Sequence, residues 1–195
     1  AEKGSFNSNI IKFDEAMKQT IDMASAAFKN EGGIVGVPTG LRDLDYKLGG
    51  LHQSDLIIIA GRPSMGKTSL ATNIAFNAAK NLQDNGKESS IAFFSLEMSS
   101  EQLSTRIISE QSRISSNDIR QGRITDEQFD KFLETSRDIA NLPLYIDETP
   151  AISIAAMSNR ARRIKRRSGL DMIVVDYIQL MRGTTFNKDG RVQEI

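Results

Sequence analysis

A glycine-rich segment at residues 61–68 places the strongest constraint on how this chain can fold. It has the pattern Gly-x-x-x-x-Gly-Lys-Thr, from Gly61 to Thr68. Residues 56–60, just before it, form a continuous apolar run, which is typical of a strand covered on both faces. Residues 69–80, just after it, have apolar positions at helical spacing. The sequence therefore predicts a buried strand, a tight loop and a helix in direct succession.

This strand–loop–helix context is the one in which such a pattern binds phosphate. Gly61 and Gly66 allow backbone conformations and close approaches that a Cβ would forbid. The following helix directs the partial positive charge of its N-terminus at the same anion. Lys67 then reaches the β- and γ-phosphates, and Thr68 supplies a hydroxyl to Mg²⁺. The predicted nucleotide-binding residues are Gly61, Arg62, Pro63, Ser64, Met65, Gly66, Lys67, Thr68 and Ser69.

A carboxylate predicted to hold the metal ion follows a second apolar run. Residues 172–175 have the most buried-looking composition of any predicted strand, and Asp176 comes directly after them. In a parallel sheet, ligands bind beyond the carboxyl ends of the strands. A carboxylate at that position can hold Mg²⁺, directly or through water. We therefore predict that Thr68 and Asp176 together form the metal site.

Hydrolysis also needs a group that orients the attacking water. Glu97 comes just after the predicted strand at residues 91–94, while Asp147 and Glu148 follow the short predicted strand at residues 144–146. A general base must come within hydrogen-bond reach of its water, and the end of an adjacent strand makes that possible. The residue pattern alone does not separate these three carboxylates.

Short β-rich runs alternate with longer helical stretches from residue 36 onward. Ser99 with Gln102, and Thr125 with Gln128, have the capping-box spacing that begins a helix. Alternation of this kind predicts an α/β fold with a mostly parallel sheet flanked by helices.

The N-terminal part has a different organisation. Apolar residues recur at helical spacing from Phe13 to Phe28, and residues 30–33 form a Gly-rich stop signal. The helix could pack on its own domain or on a neighbouring subunit. We predict two regions, a linker region at residues 1–35 and a larger domain at residues 36–195.

Composition excludes several classes of protein. Lys plus Arg and Asp plus Glu number 25 each, whereas a dedicated nucleic-acid-coating protein would have a basic excess. The chain has no cysteine, which rules out disulfides and thiolate metal sites. No apolar run approaches the roughly 20 residues of a membrane span, and the first residues do not have the pattern of a secretory signal. We therefore expect a cytoplasmic protein without a membrane partner.

Several segments together resemble the ATPase domain of the bacterial replicative ring helicase, the DnaB type. The similarity runs from about residue 36 to residue 183 and is far more specific than the glycine-rich loop by itself. It implies a RecA-like P-loop NTPase core preceded by a linker helix that docks on the adjacent subunit. It also assigns water activation to Glu97 and metal binding to Asp176. The matching segments are residues 38–45, 48–51, 61–68, 95–98 and 175–180.

The resemblance implies an ATP-dependent DNA helicase that uses Mg²⁺ and hydrolyses ATP at the subunit interfaces of a hexameric ring. It further implies 5′ to 3′ translocation on single-stranded DNA, with a primase and a helicase loader as partners. The family's glutamine sensor, main DNA-binding loops and arginine finger would lie beyond Ile195. We therefore expect the domain to be incomplete at its C-terminal end, and the isolated fragment to bind nucleotide but hydrolyse it weakly.

Three other function classes are weighed against this one. A RecA-like recombinase or a clock-type ATPase is the main alternative, and residues 95–98 and 176–179 speak against it. A small-molecule kinase would need a lid, and no Arg-rich insertion near the loop supplies one. A nucleotide-binding module without catalysis is disfavoured because the four key residues are intact, namely Lys67, Thr68, Glu97 and Asp176.

Two basic segments have open roles. The first, on a predicted helix, could bind nucleic acid or form a solvated face. The second, at residues 182–191, corresponds by resemblance to a loop facing the ring channel, where Arg182, Lys188 and Arg191 would contact phosphates; a surface loop is the alternative. The residues of the first segment are Arg160, Arg162, Arg163, Lys165, Arg166 and Arg167.

Overall fold

The computed structural model describes residues 11–29 and 34–182. The predicted stop signal at residues 30–33 lies outside the described residues, as do Lys188 and Arg191. Among the described helices, none has the length and apolar character needed to cross a bilayer. The elements are α1 Phe13–Lys29, α2 Arg42–Leu48, α3 Lys67–Asp84, β1 Ile91–Ser95, α4 Ser100–Ser112, α5 Ser116–Arg120, α6 Asp126–Ile139, β2 Leu144–Asp147, α7 Ile154–Ser168, β3 Met172–Asp176 and a 3-10 helix Ile178–Leu180.

Three strands form a parallel sheet in the order β2-β1-β3. At the start of β1, Ile91 lies opposite Leu144 of β2 and Met172 of β3. At its end, Ser95 lies opposite Asp176. Because all three strands run in the same direction, their carboxyl ends lie side by side at one end of the sheet. The predicted α/β fold with a parallel sheet flanked by helices is confirmed.

The central strand β1 separates two apolar clusters. Ile91 and Phe93 pack with the small side chains of α3 and with Leu103 of α4. Ala92 and Phe94 pack on the other side, with apolar residues of α7. Successive side chains of a strand point to opposite faces. Helices α3 and α4 therefore cover one face of the sheet, and α7 covers the other.

The direction of α3 follows from its connection to the sheet. Three alanines of α3, Ala75, Ala78 and Ala79, are fully buried, and their small side chains let the helix lie close to β1. The helix ends at Asp84 and a short connection leads directly to Ile91 at the start of β1. The end of α3 therefore lies near the beginning of β1, and the first turn of α3 lies toward the carboxyl ends of the strands.

Local capping signals fix where the helices begin. The Ser99 hydroxyl accepts from the N–H of Gln102, whose side chain accepts from the N–H of Ser99. Thr125 and Gln128 form the same reciprocal pair at the start of α6. Each cap of this kind is worth about 1 kcal/mol. Both predicted capping boxes are confirmed.

A buried carboxylate holds residues 38–45 together, and an asparagine of α3 bonds to the same segment. Asp45 Oδ1 accepts from the backbone N–H and the hydroxyl of Thr39, both over 2.8 Å, and Oδ2 accepts from the N–H of Gly40 over 3.0 Å. The side-chain amide of Asn77, on α3, donates to the Thr39 carbonyl over 3.0 Å. Residues 38–45 therefore have a structural role, which is to hold the chain against the helix of the glycine-rich loop.

The prediction of a buried strand at residues 56–60 is wrong for this structure. The segment pairs with no strand among the described residues, and Leu56 and Ile58 are 86% and 77% exposed. β3 forms one edge of the sheet, and its Ile173 is also exposed. A continuous apolar run indicates a tendency to be buried, but burial needs a neighbouring strand that the run itself does not supply.

The prediction that residues 172–175 form the most buried strand is also wrong. All five residues of β1 are buried, whereas β3 is only partly covered up to its last residue. The physical reason is position, because β1 has a strand on each side and β3 has one on a single side. Apolar composition does not report which strand is central.

Helix α1 forms as predicted, and its apolar side chains face solvent. Phe13 and Phe28 are 80% and 88% exposed, and Met17 and Ile21 are exposed as well. Within the described residues, this apolar face is therefore not covered by the chain's own domain.

Candidate functional site

The glycine-rich loop ends in a helix start that no side chain caps. Residues 61–66 are exposed. Ser64 and Gly66 have φ of 64° and 83°, in the left-handed region, and Gly66 is the N-cap of α3. Glycine avoids the strain that a Cβ would cause at such a position. With no side-chain cap, the N–H groups of the first turn of α3 have no helical acceptor and can bind an anion.

Lys67 folds its side chain back over the loop. Its Nζ donates to the carbonyl oxygens of Gly61, over 2.9 Å, and Arg62, over 3.1 Å. A Cβ on Gly61 would lie 3.7 Å from the nearest Lys67 carbon, an ordinary contact. The structure therefore requires glycine at Gly66, where φ is positive. It shows no such requirement at Gly61. The ammonium group is held above the loop, next to the first turn of α3.

Asp176 is the last residue of β3, and its carboxylate is buried. The residue is 6% exposed, and Oδ2 has no hydrogen bond among the described residues. Buried polar atoms in proteins are nearly always paired, because leaving one unpaired costs free energy. A carboxylate oxygen in this condition is suited to bind a cation.

Glu97 lies in the turn between β1 and α4, close to Asp176 in the sheet. The Ser95 hydroxyl closes this turn by donating to the Met98 carbonyl over 2.7 Å. The N–H of Leu96 donates to the Asp176 carbonyl, also over 2.7 Å. The side chain of Glu97 is exposed and borders a cavity of about 560 Å³. Glu97 and Asp176 therefore both lie at the carboxyl ends of the strands.

Packing places Lys67 and Asp176 on the same face of the sheet. Ala71 of α3 and Val174 of β3 contact the same apolar cluster. Lys67 lies one turn before Ala71, and Asp176 lies two residues after Val174. Because strand side chains alternate between faces, Asp176 points toward the face that α3 covers.

A side-chain hydrogen bond links α3 to a residue that lines the cavity beside Glu97. Arg106, two turns into α4, donates from Nη1 to the Ser69 hydroxyl over 3.2 Å. Arg106 lines the same cavity as Glu97. Sequence reasoning missed Arg106; the signal that was available is its position four residues after Gln102, on the same face of α4.

The two other carboxylates considered for water activation already have partners. Arg160 Nη1 donates to Asp147 Oδ1 over 2.7 Å, and the backbone N–H of Ser100 donates to Glu148. Burial disfavours the charged form of Asp147, but hydrogen bonds from Arg160 and Thr149 outweigh it, so the pKa of Asp147 lies below its usual value. The hydrogen bond from Ser100 lowers the pKa of Glu148. Engaged carboxylates with lowered pKa values are weak proton acceptors, which favours Glu97.

The oxygen atoms present suit a magnesium ion that arrives with a nucleotide. Residues 11–29 and 34–182 contain no group of three or more His, Cys, Asp or Glu side chains able to hold a metal. Mg²⁺ does not need such a cage, because it keeps several waters and binds one or two protein oxygens plus substrate phosphates. The Thr68 hydroxyl and Asp176 Oδ2 are oxygens of this kind.

A protein-family model described as the DnaB-like helicase C terminal domain matches residues 36–195. The chain belongs to the DnaB-like helicase C-terminal domain family. The resemblance carried by the five sequence segments is therefore confirmed.

Three similar proteins show how much of a relative's length the chain spans. It is 44% identical over 200 residues to the replicative DNA helicase DnaB of Rickettsia conorii, covering 100% of this chain and 40% of that protein. A solved structure of the ATPase domain of a protein named G40P has a TM-score of 0.84 and 27% identity, and covers 95% of this chain and 63% of that one. A structure of a DnaB-like replicative helicase and its interactions with primase has a TM-score of 0.79 and 27% identity, and covers 96% and 43%. The RecA-like fold is confirmed, and the chain spans about 40% of the curated relative's length.

Each of the two basic segments includes a residue with a hydrogen bond to another part of the fold. Arg160 pairs with Asp147. Three basic residues occupy the last turn of α7, where their positive charge interacts favourably with the helix dipole. Arg182 is exposed, and its N–H donates to the Ile152 carbonyl over 3.1 Å. A role of either segment in binding nucleic acid stays a prediction.

Proposed function

We propose that this chain is the ATPase module of a replicative DNA helicase and that it binds and hydrolyses Mg²⁺-ATP. The observation that carries the proposal is the buried Oδ2 of Asp176, which has no hydrogen bond within residues 34–182 and lies on the sheet face where α3 begins. A helix start with unpaired N–H groups and a buried, unpaired carboxylate oxygen are complementary to a triphosphate and its metal ion.

Each residue has a distinct role in this proposal. The N–H groups at the start of α3 bind phosphate oxygens, and the Lys67 ammonium exchanges its two carbonyl contacts for the β- and γ-phosphates. Thr68 and Asp176 would hold Mg²⁺, whose charge would offset that of the phosphates. Glu97 orients the attacking water from the end of β1.

The proposed assembly is a hexameric ring with ATP at the subunit interfaces. In this arrangement residues 36–195 form the ATPase domain and residues 1–35 the linker region. The exposed apolar face of α1 supports the linker's docking on an adjacent subunit, since burying a single large apolar side chain gains about 1.5–3 kcal/mol. An arginine of the neighbouring subunit would complete each ATP site, a contribution typically worth ~10³ to 10⁵ in rate.

The proposed partners follow from the family. Single-stranded DNA is the track, with 5′ to 3′ translocation, and a primase and a helicase loader bind the ring. One similar solved structure is described as a DnaB-like replicative helicase with its interactions with primase. The proposed location is the cytoplasm.

One pair of assays tests the proposal. ATP turnover of the full-length protein is measured with and without single-stranded DNA, and unwinding of a forked duplex is measured in parallel. We expect turnover that DNA stimulates, together with unwinding. Turnover that is indifferent to DNA, with no unwinding, contradicts the proposal, and DNA strand exchange would instead support a recombinase.

A further inference from the structure

We infer that Arg106 is a positioning residue, which fixes the location of Glu97 relative to the phosphate-binding loop; the inference rests on the proposed function. The starting observation is the bond from Arg106 Nη1 to the Ser69 hydroxyl, over 3.2 Å. Ser69 directly follows Thr68 in the first turn of α3. Arg106 therefore reaches the part of α3 that meets the triphosphate.

Glu97 is attached rigidly to the helix that carries Arg106. Ser99 and Gln102 close a capping box at the start of α4, and Glu148 accepts the N–H of Ser100. These contacts begin two residues after Glu97, so its backbone moves with α4. Any shift of α4 relative to α3 changes the distance from Glu97 to the loop.

Few other polar contacts resist such a shift. Within residues 34–182, the bond between Arg106 and Ser69 is the single side-chain hydrogen bond that joins α3 to α4. The remaining contact is apolar packing around Leu103, which tolerates small sliding movements better than a directed bond does. The hydrogen bond therefore sets the register between the two helices at the end nearest the site.

An effect of Arg106→Ala on activity could also come from the loss of a positive charge in the cavity, and a second variant separates that effect from a change in position. Arg106 and Arg120 both line the cavity, together with the carboxylates Glu97 and Glu101. Removing either arginine deletes one positive charge. Arg120 has no hydrogen bond to α3 among the described residues, so it provides a matched control for charge alone.

The test uses the full-length protein and four variants: Arg106→Ala, Ser69→Ala, the double variant, and Arg120→Ala. ATP turnover with single-stranded DNA gives kcat and KM, and a fluorescent ATP analogue gives nucleotide affinity. Ser69→Ala keeps the backbone N–H that would bind phosphate, so it removes only the acceptor of the bond. Should Arg106→Ala fail to fold, Ser69→Ala still tests the contact, because it deletes only an exposed hydroxyl.

We expect Arg106→Ala to lower kcat about 10- to 100-fold, the size of effect that displacement of a reacting group produces. Nucleotide affinity should stay within about threefold, and Arg120→Ala should retain kcat within about twofold. The double variant should be no slower than Arg106→Ala, since the two changes break one bond.

Three results overturn the inference: unchanged kcat in Arg106→Ala, equal losses in Arg106→Ala and Arg120→Ala, or parallel losses of affinity and kcat. An inactive wild-type protein overturns the proposed function, and the inference with it. An active wild type with an equally active Arg106→Ala overturns the inference alone.

Discussion

Leu96 donates its backbone N–H to the carbonyl oxygen of Asp176 over 2.7 Å, and Glu97 is the next residue after Leu96. The proposed water-activating group and the proposed metal ligand are therefore joined through the backbone of two adjacent parallel strands. A hydrogen bond of this kind holds them without any side-chain contact. Sites built on strands are more precise than sites on free loops, so the sheet itself sets the spacing between the two carboxylates.

Lys67→Ala should weaken nucleotide binding while leaving the fold intact. Among the described residues the ammonium group bonds two carbonyls of the exposed loop, so its loss should cost less than about 0.5 kcal/mol of stability. Loss of a charged contact to phosphate should weaken ATP binding about 10- to 100-fold. Titration with a fluorescent ATP analogue measures this, and Lys80→Ala, exposed on the same helix, is the control. Equal affinity in the two variants would contradict the assignment of Lys67.

Glu97→Gln should separate chemistry from binding. The amide keeps the shape of the side chain but cannot accept a proton, so kcat should fall about 10²- to 10⁴-fold with little change in nucleotide affinity. Glu101→Gln is the control, because Glu101 lines the same cavity from α4. Steady-state ATP turnover with saturating single-stranded DNA checks both. If Glu101→Gln were the slower variant, Glu97 would not be the group that orients water.

Asp176→Asn should make the protein less active and more stable. Without the carboxylate charge, Mg²⁺-dependent turnover should fall about 10²-fold or more. The carboxylate has one buried oxygen, Oδ2, without a partner among the described residues, so replacing it by a neutral amide should raise the free energy of unfolding by about 1 kcal/mol in the absence of Mg²⁺ and nucleotide. Urea unfolding and ATP turnover measure the two effects. Asp171 is exposed and lies immediately before β3, and an amide in its place keeps an oxygen that can accept from the Ser89 hydroxyl, so Asp171→Asn should change neither by much. A destabilised Asp176→Asn with normal turnover would refute the metal-site assignment.

Local signals in the sequence predicted most of the helices, because their causes are local. Ser99 and Thr125 each find their capping partner three residues away, so the start of α4 and α6 can be read from neighbouring residues. The positions of Glu97 and Asp176 followed similarly, since each comes at the end of a recognisable apolar run. Parallel strands then bring their ends together without further information.

What the sequence did not predict depends on contacts between distant residues. The exposure of Leu56 and the edge position of β3 are determined by which strands pair, and an apolar run does not encode its neighbour. The bond from Arg106 to Ser69 joins residues 37 positions apart and has no local pattern. The choice of Glu97 over Asp147 as the water-orienting residue likewise depended on Arg160, which lies 13 residues after Asp147 and bonds to it.

The ion pair between Arg160 and Asp147 should make stability depend on pH in a defined direction. Hydrogen bonds from Arg160 and Thr149, opposed by burial, leave the pKa of Asp147 below its usual 3.8 in the folded protein. A carboxyl group with a lowered folded pKa contributes stability above its unfolded pKa and loses it as the pH falls through the folded pKa. The contribution is therefore complete at neutral pH and is lost progressively as the pH falls from 3.8 through the lower folded-state pKa.

Arg160→Ala tests this relationship. The Arg160 side chain is 44% exposed and that of Asp147 is 23% exposed, so solvent screening limits the loss at neutral pH to about 1 kcal/mol. Urea unfolding of wild type and variant should show this difference at neutral pH and a progressively smaller one as the pH falls from 3.8 through the lower folded-state pKa, below which Asp147 is protonated in both states. Arg162→Ala, exposed on the same helix and without an ion pair among the described residues, should show no such pH dependence. A stability difference that stays constant across the acid range would mean that Arg160 acts by packing its side chain, and not through the charge of Asp147.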